Sequence, residues 1–70
     1  MELKWKEDTR HLDCWDLRDA KGDLKGFTIR REKDGVVEWC SINPDVDLKF
    51  PGLSLDEVKA IGFAMVRLEG

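Results

Sequence analysis

Apolar and polar residues alternate along most of the chain, then switch to helical spacing near its end. The helical stretch opens with Ser54-Leu55-Asp56-Glu57. This fits a capping box, with Ser54 as N-cap and Glu57 reaching back from the third helical position. Asp56 and Glu57 also suit the positive end of the helix dipole. Val58, Ile61, Met65 and Leu68 then share one face, with Leu55, Gly62 and Val66 beside them. An apolar arc this wide predicts a helix lying on a sheet, and Gly62 would permit close approach.

The middle of the chain predicts a hairpin. Phe27 to Lys33 and Val36 to Ile42 alternate on either side of Asp34-Gly35, a strong two-residue turn signal. That turn pairs Lys33 with Val36, Arg31 with Glu38, Ile29 with Cys40 and Phe27 with Ile42. On the other face Glu32 meets Val37, Arg30 meets Trp39 and Thr28 meets Ser41. Upstream, Asp19-Ala20-Lys21-Gly22 reads as a type I turn closed by a left-handed glycine. It would pair Trp15 with Phe27 and Leu17 with Lys25, adding a strand from about Arg10 to Arg18. Trp15, Leu17, Phe27, Ile29, Cys40 and Ile42 then form the face that the helix is expected to cover. Residues 3–6 alternate as a further strand would, and Glu7-Asp8-Thr9 would turn it back. From Asn43 to Gly52 the chain reads as loop, with Asn43-Pro44 and Phe50-Pro51-Gly52 as breakers. The expected fold is α+β: an antiparallel meander of three or four strands, with one C-terminal helix on one sheet face.

Seventy residues bound this to one small domain, residues 1–70. Charged residues make up 39% and hydrophobic ones 41%, so a core is affordable despite a heavily charged surface. No apolar run approaches the length needed to span a bilayer. The first residues lack the apolar region of a secretory signal, which predicts a cytoplasmic protein. Cys14 and Cys40 are too few for a disulfide framework and read as free thiols.

The candidate chemistry is thin. His11, Asp13, Cys14 and Cys40 are possible metal ligands, but they lack the paired short spacings of a zinc site. In a strand, His11 and Cys14 would also point to opposite faces. One histidine beside two cysteines gives weak support for nucleophilic catalysis. Asp45 and Asp47 lack the glycine and glutamate of a calcium loop. Neither a cofactor nor an enzymatic activity is expected.

The sheet face opposite the helix stands out instead. In the register above, Leu12, Arg30 and Trp39 line up across three strands, with Val37 beside them. An apolar patch with Trp and Arg at its centre is the composition of an interface. The expectation is a protein-interaction module binding a protein partner, or itself as a homodimer, through Leu12, Arg30, Val37 and Trp39. A small acidic domain of this kind fits an accessory protein of a phage or mobile element.

A three-stranded meander followed by a helix is similar in topology to the plant ethylene-response DNA-binding domains. It is also similar to the arm-binding domains of phage-type integrases. In both, the sheet face opposite the helix enters the major groove through Arg and Trp. The resemblance implies nucleic-acid contacts at Arg10, Arg18, Arg30 and Trp39. A net charge of -3 disfavours that alternative. A third expectation, an acidic inhibitor of a nucleic-acid enzyme, is opposed by the interspersion of 12 basic and 15 acidic residues.

Overall fold

The computed structural model describes residues 2–11, 13–42 and 44–69. Five strands and one helix follow in order: β1 (Leu3–Glu7), β2 (Cys14–Asp19), β3 (Leu24–Arg30), β4 (Val37–Ser41), β5 (Val46–Phe50) and α1 (Leu55–Glu69). The strands form one antiparallel sheet in sequence order, so every connection is a local turn. The sheet therefore has five strands rather than three or four. β1 confirms the strand pattern of residues 3–6. β5 arises from the segment expected to be loop. Val46, Leu48 and Phe50 alternate there with Asp47 and Lys49, and Pro44 and Pro51 bound the strand rather than abolish it.

Turn chemistry sets the register. The β3–β4 connection is not the two-residue Asp34-Gly35 turn. Arg30 pairs with Val37, and the Gly35 amide donates to the Arg31 carbonyl at 2.8 Å. A type I′ turn needs positive φ at both central residues, yet here Gly35 alone has it, at 72°. Asp34 instead uses its carboxylate to accept the Val36 amide at 3.0 Å. The longer turn slips the pairing by two residues. Trp39 therefore faces Thr28 instead of Arg30, and Ile29 faces Glu38 instead of Cys40. A two-residue slip preserves faces.

The β2–β3 turn is the expected one. The Gly22 amide donates to the Asp19 carbonyl at 2.9 Å, with Gly22 at φ 88°. Beyond it, however, the register shifts between Leu17 and Arg18. Leu17 faces Gly26 and Trp15 faces Thr28. This bulge slips the pairing by one residue, which moves Trp15 and Leu17 to the face opposite Phe27 and Ile29. The large apolar side chains then gather with Trp39 and Val37, and α1 covers that face. Trp15 and Leu17 keep their expected place beneath the helix, whereas the expected faces of β3 and β4 are exchanged.

The core comprises Leu3, Leu17, Val37, Trp39, Val58 and Val66, with Trp5, Leu48, Phe50 and Phe63 packed against it. Trp39 sits at its centre. A Cβ on Gly26 would lie 2.3 Å from its Cη2, and one on Gly62 would lie 2.5 Å from its Cε3. One glycine in the sheet and one in the helix form the slot that holds the indole. Trp5 meets it edge-on, with centroids 6.1 Å apart. The capping box forms as expected: the Ser54 amide donates to Glu57 Oε1 at 2.9 Å, and the Glu57 amide to Ser54 Oγ at 3.2 Å. The buried stripe of α1 runs through Val58, Gly62 and Val66, and Leu68 is 88% exposed. No helix among the described residues is long and apolar enough to cross a membrane.

Candidate functional site

α1 covers one face of the sheet and leaves the other open. The ladder fixes what that open face presents. One row across the strands reads Lys6, Asp16, Phe27, Cys40 and Asp47. The next reads Cys14, Ile29, Glu38 and Lys49, with Asp8 beside Cys14 through an amide–carbonyl bond of 2.9 Å. A groove of about 420 Å³ runs over this face. Leu24, Phe27 and Ile29 are half-buried along it, and Arg10, Arg18 and Arg31 lie around them. A second depression of about 380 Å³ adjoins at Arg31 and extends to Lys33, Lys49 and Pro51.

Ion pairs lock Asp8, Asp16 and Glu38 to arginines of the face. The Arg31 Nε donates to the Glu38 carboxylate, and this bond holds the guanidinium pKa above its ordinary value. Arg18 reaches Asp16 at 3.1 Å and the Gly22 carbonyl at 2.9 Å. Asp8 accepts the Arg10 amide at 2.9 Å and contacts His11 Nδ1 at 3.1 Å. The Arg10 amide, then His11, hold the Asp8 carboxyl below the usual range. Burial first, then the Asp16 and Asp8 carboxylates, push the Cys14 thiol up. Burial and the Asp47 carboxylate push Cys40 up to about 12. Both thiols are free and neutral near pH 7. They stand on β2 and β4 with β3 between them. Two strand spacings of ~4.8 Å exceed the ~7 Å Cα limit for a disulfide.

The residues expected to form a site do not meet. Trp39 is 0% exposed and Val37 2%, both beneath α1 rather than opposite it. Arg30 is exposed, but it shares the helix-bearing face with its partner Val37. Leu12 lies outside the described residues. Of the positions implied by the DNA-binding resemblance, Arg10 and Arg18 line the open face, whereas Arg30 and Trp39 do not. His11 is also placed differently. It lies in the turn between β1 and β2, not in a strand, and lines the same groove as Cys14. Asp8, Cys14 and Asp16 offer ligand atoms within 4.8 Å of one another. Arg10 and Arg18 already engage the two carboxylates, so this cluster is part of the ion-pair network. Phe27, Ile29 and Arg31 were not expected as site residues. Gly26 carried the available signal, since a glycine inside a strand marks a bulge or a close approach. No family model matches the chain, and no curated protein or solved structure matches it.

Proposed function

We propose that this domain is a non-catalytic interaction module that binds polypeptide through the sheet face opposite α1. One observation carries the reading: Leu24, Phe27 and Ile29 line a groove on a face covered by none of the described elements. Arg10, Arg18 and Arg31 around this half-buried apolar floor are of a residue type enriched at binding hot spots. Both thiols are held protonated, and Arg18 and Arg31 engage the Asp16 and Glu38 carboxylates, which favours contact over catalysis. Free thiols suit a reducing compartment such as the cytoplasm.

Duplex DNA draws less support from the same face. Asp8, Asp16, Glu38 and Asp47 stand among its cations, and a nucleic-acid surface concentrates positive charge.

The test is a folded Phe27→Asp variant, checked by circular dichroism, compared with wild type in partner capture. A partner held by wild type and lost by the variant is the expected result. A partner held equally by both contradicts the reading.

A further inference from the structure

The charges of the two outer strands on the open face run in opposite senses. In the Phe27 row, β1 carries Lys6 and β5 carries Asp47. In the Ile29 row the signs reverse, with Asp8 beside β1 and Lys49 on β5. Between them, β3 contributes Phe27 and Ile29, neither charged nor fully buried.

A two-fold axis lying along β3 converts each of these positions into the one it needs. From this we infer that the occupant of the open face is the open face of a second copy of the chain. The inference rests on the interaction reading above and names its partner. Lys6 of one copy stands over Asp47 of the other. Phe27 stacks on Phe27 and Ile29 on Ile29. A two-fold axis across the strands would instead place Lys6 over Asp8, whose carboxylate Arg10 and His11 already engage.

The result is a sandwich of two sheets ~10 Å apart, with both helices outside. Aligned sheets of this kind hold their strands within ~30° of each other. Five strands at ~4.8 Å make a face roughly 20 Å wide. The ion pairs Arg18–Asp16 and Arg31–Glu38 stay within each copy, so no unpaired charge from them enters the interface.

The experiment is sedimentation equilibrium of the full chain across a wide concentration range. Wild type is expected to shift from 8.1 kDa toward twice that mass. Lys6→Asp alone and Asp47→Lys alone each break two symmetry-related contacts and should weaken the dimer about tenfold, or ~1.4 kcal/mol. The double variant should recover most of the loss, because the reversed charges again oppose each other. Both positions are exposed, so these variants fold whatever the dimer does. A dimer whose double variant stays as weak as the singles overturns the two-fold pairing. A wild type that remains monomeric overturns the second copy as partner. In that case loss of another captured partner on Phe27→Asp still upholds the interaction reading, and retention of that partner defeats it too.

Discussion

Gly62 of α1 lies against the indole of Trp39 so closely that a Cβ there would sit 2.5 Å from Cε3. Glycine inside a helix ordinarily costs ~1 kcal/mol relative to alanine. Here the sign reverses. Gly62→Ala should destabilise the domain by ~1–3 kcal/mol through overpacking, read as a lower urea midpoint. Replacing Trp39 with Leu in the same chain should make the alanine less harmful. A stabilised Gly62→Ala would show that helix and indole do not meet this way.

Thr28 offers the opposite case. Its Oγ1 is buried beside Trp39, and it finds no hydrogen-bond partner among the described residues. Valine has the same shape without the hydroxyl. Thr28→Val should raise stability by ~1 kcal/mol or more, since an unsatisfied buried hydroxyl costs ~1–3 kcal/mol. A loss of stability on thermal melting would mean that the hydroxyl is bonded in solution.

Lys59 places its Nζ 5.4 Å from the centroids of both Trp5 and Trp15. It thereby ties α1 to the β1–β2 side of the sheet through two cation–π contacts. Lys59→Met keeps the stem and removes the charge. It should cost ~1 kcal/mol and alter tryptophan fluorescence. An unchanged melting temperature would show the contacts to be without weight.

Stability should be flat across neutral pH and fall at both ends. Hydrogen bonds from the backbone of Arg10 and of Ser54 depress the Asp8 and Glu57 carboxyls. Their contribution is present above the unfolded carboxyl range of ~4 and fades as pH drops through the lower folded values. Cys40 acts the other way. Its thiol titrates from 9.0 unfolded to about 12 folded, so its contribution is complete below 9.0 and is lost as pH rises toward 12. Cys40→Ala should flatten the alkaline side of a pH–stability curve and leave the acid side unchanged. An alkaline fall as steep as that of wild type would contradict this account of the thiol.

Local signals in the sequence were legible and non-local ones were not. Ser54 and Glu57 form their capping box because that motif needs only neighbouring backbone. Asp19-Ala20-Lys21-Gly22 turns as its residues require. The bulge between Leu17 and Arg18 is marked only by Gly26 opposite it, which fixes neither its place nor its direction, yet the bulge decides which face Trp15 and Leu17 join. From that single shift follow the burial of Trp39 and Val37 and the uncovering of Phe27 and Ile29. The idea of a binding face opposite the helix rested on architecture, whereas the identity of its residues rested on register. β5 was obscured because its bounding prolines look like loop signals when strand pairing is not in view.

The central claim is that the face around Phe27 meets another polypeptide while the outer side of α1 does not. Site-specific photocrosslinking tests it most directly. A benzophenone side chain at position 27 should give a discrete adduct, at twice the chain mass if the partner is a second copy. The same group at exposed Ala60 on α1 should give none. An adduct from position 60 and none from position 27 would contradict the account.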